Sequence, residues 1–194
     1  MKGCSPLSTD EITRTLEALD GAYADRDRAL FLLGLRTGLR ISELLSIRVG
    51  QVWSQDQVLS RVYVERRAIK GKREGRSLPL HPEAAQALRL WLEKRIRHES
   101  SLDSNAPLFS SRKGNSELTR QAVGRILRQA LSRAGVTGRK GTHVCRKTFA
   151  AKMYQTLGHD LLRTSRALGH RSILTTISYL SFNQNEIDAA ILST

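Results

Sequence analysis

The chain has 194 residues, 40% of them apolar and spread along the whole length, which supplies the core of one domain and excludes wholesale disorder. No apolar run approaches the roughly 20 residues that span a bilayer, and MKGCSPLSTDEI is no signal peptide, so a cytoplasmic protein with no membrane partner is expected. Thirty-two Lys and Arg against 18 Asp and Glu give a net charge of +14, a field that concentrates polyanions, nucleic acid above all.

Ser8-Thr9-Asp10-Glu11 carries the signature of a helix start, and Ile12, Leu16 and Leu19 continue it at helical spacing. Asp25 to Leu35 predicts a second helix, stopped by Thr37-Gly38, and ISELLSI at 41–47 predicts a short third one. The period then changes. VLSRVYVER, 58–66, alternates in its second half and reads as a strand; RSLPL, 76–80, reads as a second, and VGQVW, 49–53, as a third at the edge. Between the first two, RAIKGKREG makes a basic hairpin tip with glycines for the turn. From Pro82 the pattern is helical again. Pro82 to Ile96 carries Leu88, Leu92 and Ile96 on one face, and Thr119 to Ala134 carries Val123, Ile126, Leu127, Ala130 and Leu131. Three or four further helices follow from His143, punctuated by Gly158 and Gly169, with His159 at the start of one of them. No long linker or internal repeat interrupts the chain. The reading is one continuous α+β domain, mainly helical, with a small three-stranded antiparallel sheet.

The basic excess is localised: Ser104 to Asn185 hold 14 Lys and Arg and only Glu117 and Asp160 as acids. No helix joins a basic face to a bulky apolar one, so a lipid surface ranks below nucleic acid. Cys4 and Cys145 are too few for a disulfide framework, and His143 and Cys145 point apart on a helix, so no metal is expected.

Four stretches carry residues suited to chemistry. In GLRISELL, 38–45, Arg40 stands at the mouth of a helix, where a guanidinium and a helix N-terminus together receive a phosphate. In HVCRKTFA, 143–150, His143 and Arg146 lie three apart, share a helix face and can address one anion. In LGHRSILTTISYL, 168–180, Gly169 closes a helix, His170 sits on the turn and Tyr179 follows nine positions later, with Ile173 and Ile177 facing the core. The hairpin tip presents Lys70, Lys72 and Arg73. Taken singly, each reads more readily as ordinary structure: a solvated Arg, a capping His beside a surface Arg, a half-buried Tyr, an exposed loop.

Their order changes that. TGLRISELLSI, IKGKREGRSLPL, THVCRKTFA and LGHRSILTTISYL resemble, block by block, the catalytic domain of the tyrosine recombinases, the phage-integrase family, from about Leu7 to the last residues. The resemblance implies the DNA breaking-rejoining fold and double-stranded DNA as partner. It implies a site-specific recombinase or integrase that cleaves and rejoins strands without metal, ATP or other cofactor. Tyr179 would be the nucleophile, forming a 3′-phosphotyrosine and releasing a 5′-hydroxyl. Arg40 and Arg146 would clamp the scissile phosphate, His143 and His170 would complete the pocket, and Lys70 would protonate the departing oxygen. The residue types suit the task. Bidentate guanidiniums stabilise charge gathering on phosphate oxygens, and a phenol of ordinary pKa about 10 needs cations or a base beside it.

The chain departs from the family pattern in places. Cys145 and Lys147 stand where members often have Leu and His, and a hairpin about one residue longer leaves Lys72 as a second candidate acid. The usual N-terminal core-binding domain is absent from residues 1–194, so the chain reads as a catalytic domain, either a fragment or a native single-domain member. Residues 185–194, with Ile187, Ala190 and Ile191 at helical spacing, correspond to the terminal helix through which members dock on a neighbour in a tetrameric synapse, or else fold back on their own domain. The expected setting is the bacterial nucleoid or the host cell of a mobile element. Rival readings are a catalytically idle DNA-binding regulator of the same fold, a type IB topoisomerase and a plain helical nucleic-acid binder. Filled cleavage positions speak against the first, the LGH and TGLR blocks against the second, and the motif order against the third.

Overall fold

The computed structural model describes residues 5–65, 75–99, 102–112, 116–138, 141–180, 188 and 191–193. Helix α1 (Thr9–Ala18) starts where the sequence places it: Ser8 Oγ accepts from the Glu11 N–H at 3.2 Å, and Glu11 Oε2 accepts from the Ser8 N–H at 2.9 Å. Helix α2 (Ala24–Thr37) is buried nearly all round, Ala29 through Leu33 and Leu35 included. Gly38 ends it at φ +62°, a region costly for any residue with a Cβ. Helix α3 (Ile41–Leu45) follows after a three-residue turn, and α4 (Pro82–Glu99) and α5 (Arg120–Arg133) complete the main helical layer. Helix α2 packs on α4 and α3, and α1 packs on α5. Leu33, Ile47, Leu88, Leu92, Phe109, Leu127 and Leu131 fill the core between them.

The chain groups into two compact units, Met1–Phe149 and Ala150–Thr194. The boundary falls inside helix α6 (Val144–Thr156). The second unit continues with α7 (Leu161–Leu168) and α8 (Ile173–Ile177), which pack on each other. No helix among the described residues is long and apolar enough to cross a membrane.

The strands differ from the sequence reading. Among the described residues there are two antiparallel ladders of two strands, β1 (Trp53–Ser54) with β2 (Gln57–Val58) and β3 (Arg61–Val64) with β4 (Arg76–Pro79). The expected single strand 58–66 changes partner midway: Leu59 N–H donates to the Val52 carbonyl, whereas Ser60 accepts from Leu80 N–H. The expected edge strand 49–53 begins instead as a single 3₁₀ turn, Val49–Gln51. Its donors are already committed, Val49 N–H to Ala106 and Gly50 N–H to Ser104. Residues 66–74, with Lys70, Lys72 and Arg73, lie outside the described residues, as do Cys4, Ile187 and Ala190.

The segment 106–110 runs buried through the first unit, and every carbonyl on it finds a donor. Ala106 accepts from Val49 N–H and Phe109 from Leu118 N–H, at 3.0 and 2.9 Å. Side chains serve the rest, each at 2.9 Å: Arg95 Nη1 on Pro107, Trp91 Nε1 on Leu108 and Arg26 Nη1 on Ser110. A buried carbonyl left alone costs the desolvation of that group, so two arginines and a tryptophan are structural here. Trp91→Phe keeps an aromatic side chain but loses the indole N–H and some buried volume, and it orphans the Leu108 carbonyl. It should lower stability by about 1–3 kcal/mol, seen as a lower urea midpoint at unchanged slope.

Candidate active site

One carboxylate sets the orientation of Arg40. Glu43, its side chain only 4% exposed, accepts the Arg40 backbone N–H at Oε2 (2.7 Å) and Arg40 Nη1 at Oε1 (2.9 Å). The Arg40 side chain is 40% exposed, so a buried anion holds a guanidinium at the surface. Arg146 is the opposite case, 1% exposed on the first turn of α6. Its Nη1 donates to the carbonyl of Gly38, two residues before Arg40.

His143 lies immediately before α6, where its carbonyl accepts from Lys147 N–H at 2.9 Å, and its side chain is open to solvent. Partial desolvation holds the imidazole below its ordinary value, and the charges of Arg146, Arg120, Arg40 and Lys147 add to the effect. Those charges come from α5, from α6 and from the turn before α3, so four cations surround one imidazole. Arg76 joins the edge of the cluster. Burial pulls its guanidinium below its ordinary value, Glu43 opposes and Arg40 adds. In the register of the ladder Arg76 lies opposite Val64, on the buried face.

The first unit thus brings together Arg40, His143 and Arg146. Sequence reasoning missed Glu43, Arg76 and Arg120. Glu43 had a local signal, an acid three residues after Arg40 at a helix start. The signals for Arg76 and Arg120 are tertiary.

The second unit holds the other pair. Asp160 caps α7, accepting from Arg163 N–H at 2.9 Å, and His159 before it, at φ +65°, sets its ring 4.9 Å from Tyr154. His159 is a structural residue at a helix start. Gly169 ends α7 at φ +66°, and His170 follows buried on the turn, its N–H on the Ser165 carbonyl at 3.0 Å. His170 Nδ1 lies 2.9 Å from Thr176 Oγ1, and its ring centroid is 5.4 Å from that of Tyr179. The Tyr179 N–H donates to the Thr176 carbonyl at 2.9 Å. Thr176 therefore anchors both residues, one by its hydroxyl and one by its carbonyl.

One expectation for α8 fails. Ile173 is exposed rather than core-facing, and Leu174 beside it is 72% exposed. The Ser172 cap and the His170 contact set the register of this single-turn helix, and they turn Thr176 inward instead. An open polar hollow of about 550 Å³, lined by Arg48, Gly50, Gln51, Glu65, Ser104 and Asn105, contains none of the residues singled out from sequence.

The model of the phage integrase family matches residues 6–186. Among curated relatives, the tyrosine recombinase XerC 1 of Ralstonia nicotianae is 34% identical over 189 residues, 91% of this chain and 56% of its own length. The tyrosine recombinase XerH of Campylobacter jejuni is 29% identical over 191 residues, 95% of this chain and 50% of its own. Among solved structures, the XerA recombinase superposes with a TM-score of 0.76 at 25% identity, covering 100% of this chain and 64% of that one. XerH bound to a palindromic difH substrate, in a post-cleavage complex, gives 0.76 at 26% identity, covering 98% of this chain and 53% of that one. The chain spans roughly half the length of the curated relatives it matches.

The charges around His143 generate a titration test. Its imidazole should titrate below the ordinary value of about 6.5 and be neutral at pH 7. Each neighbouring cation disfavours the protonated form, so Arg120→Ala should raise that pKa. Proton NMR of the His143 ring across pH 4–8 reads both.

Proposed function

This chain belongs to the phage integrase family, and on that premise we propose that it breaks and rejoins DNA at a specific site with Tyr179 as nucleophile. The observation that carries the reading is the convergence of Arg40 and Arg146 around His143, each guanidinium fixed by a buried acceptor, Glu43 in one case and the Gly38 carbonyl in the other. Fixed guanidiniums stabilise the charge that gathers on a phosphate in the transition state without reorganising during the reaction. Family members described as bound to DNA, XerH on its difH substrate among them, support DNA as the partner.

The phenolic oxygen of Tyr179 attacks phosphorus while the bond to the 5′-oxygen breaks and the electron pair leaves with that oxygen. The phenol's proton passes to an imidazole, for which His143, its pKa held below the ordinary value by desolvation and neighbouring cations, and His170, beside the tyrosine, are the candidates. The departing oxygen takes a proton from the hairpin lysine, Lys70 or Lys72. The phosphodiester has become a phosphotyrosine ester of similar energy, so a second 5′-hydroxyl reverses the step and joins a new strand with neither ATP nor metal. The reading requires both groups of residues to meet on one phosphate. Exchange between two duplexes takes several protomers, with residues 185–194 as the coupling element, in the compartment that holds the DNA.

A nicked duplex that releases its short 5′ fragment traps the covalent intermediate and tests the reading. Wild-type protein should become covalently linked to DNA, and Tyr179→Phe should give none. Arg146→Ala and Arg40→Ala should each slow adduct formation by about 10²-fold or more. Specific binding with no adduct at all would instead identify an idle DNA-binding regulator.

A further inference from the structure

Helix α6 meets α2 at two glycines. A Cβ built on Gly34 would stand 3.2 Å from Cys145 Cβ, 3.3 Å from Leu44 Cδ1 and 3.5 Å from Cys145 Sγ. One built on Gly38 would fall 2.8 Å from Phe149 Cγ and 2.9 Å from its Cε1. Gly34 lies in α2 and Gly38 caps its end four residues later, while Cys145 and Phe149 lie four apart on α6. Cys145 and Phe149 are thus one turn apart on a single face. Two side chains of α6 occupy a notch that two missing side chains leave in α2, and Arg146 comes directly after the first of them.

Gly38 has a second reason to be glycine, its left-handed φ of +62°. Gly34 has none. It sits inside a buried helix, where glycine costs about 1 kcal/mol against alanine; Cys145, whose Cβ and Sγ supply two of its three closest neighbours, accounts for it together with the flexible end of Leu44. We infer that Gly34 and Cys145 are a size-matched pair that sets how deeply α6 seats on α2, and so where the Arg146 guanidinium stands. They are positioning residues for Arg146; their consequence for catalysis rests on the reading given above. The same fit explains a small Cys at a position where a branched Leu would overpack the notch. Close-packed interiors do not absorb an added methyl without movement. A guanidinium displaced by a few tenths of an ångström loses transition-state contact before it loses its fold.

The test uses the full chain, with three readouts: adduct rate at saturating nicked DNA, DNA affinity, and the Arg146 Nε–H NMR resonance, assigned through Arg146→Lys. Gly34→Ala should move that resonance and slow the adduct step by about tenfold while affinity changes little. The swap Gly34→Ala with Cys145→Gly should restore both, and isosteric Cys145→Ser should leave both near wild type. Cys145→Leu, read by the same three measurements, stands in should the swap fail to fold, with a displaced resonance and a slowed step expected. An Arg146 resonance unmoved in Gly34→Ala overturns the inference, as does a displaced resonance with an unchanged rate. Absence of any adduct in wild-type protein overturns the functional reading alone, since the NMR arm still decides the packing claim.

Discussion

Arg146, with 1% of its surface exposed, donates to the carbonyl of Gly38 across 108 residues of sequence. Burying a charge is costly unless its donors are met, so wherever Arg146 goes the α2–α3 turn must come with it. That turn carries Arg40 two residues later. Glu43 then holds Arg40 from the other side, through its backbone and its side chain together. Since α2 is buried nearly all round, the cationic site inherits the rigidity of the core rather than that of a loop.

The net charge of +14 is therefore not one undifferentiated field. Arg26 and Arg95 are interior residues that satisfy carbonyls of the 106–110 segment and pair with Asp27 and Glu99. Arg40, Arg76, Arg120 and Lys147 form a different class, crowded around His143 and Glu43 with few acids among them. Crowded like charges oppose folding unless a polyanion completes the site.

The second unit, which holds Tyr179, works by another principle. Helix α8 has five residues, too few to be stable by propensity, and its stability comes from capping and polar contacts. Ser172 starts it, Thr176 receives the His170 ring, and the Thr176 carbonyl takes the Tyr179 N–H. That short polar turn and the His170 ring set the orientation of Tyr179. Tyr179 thus follows a helix whose outer side, Ile173 and Leu174, is apolar and exposed.

Features set by a few neighbouring residues were legible in the sequence. The Ser8–Glu11 box, the Gly38 and Gly169 stops and the Thr119 start of α5 all rest on hydrogen bonds or spacings within one or two turns, and each of the four motif blocks is itself a short local pattern. The strands were read less well, because whether Leu59 pairs back to Val52 or onward depends on which backbone arrives beside it. Glu43 beneath Arg40, Arg76 opposite Val64, Arg120 near His143 and the carbonyls that bury Arg26 and Arg95 became visible only once the chain had closed. A local pattern states which groups a residue can satisfy by itself. Which distant donor must satisfy a buried carbonyl or a buried charge is decided by packing, and that choice gives the arginines of this chain their different roles.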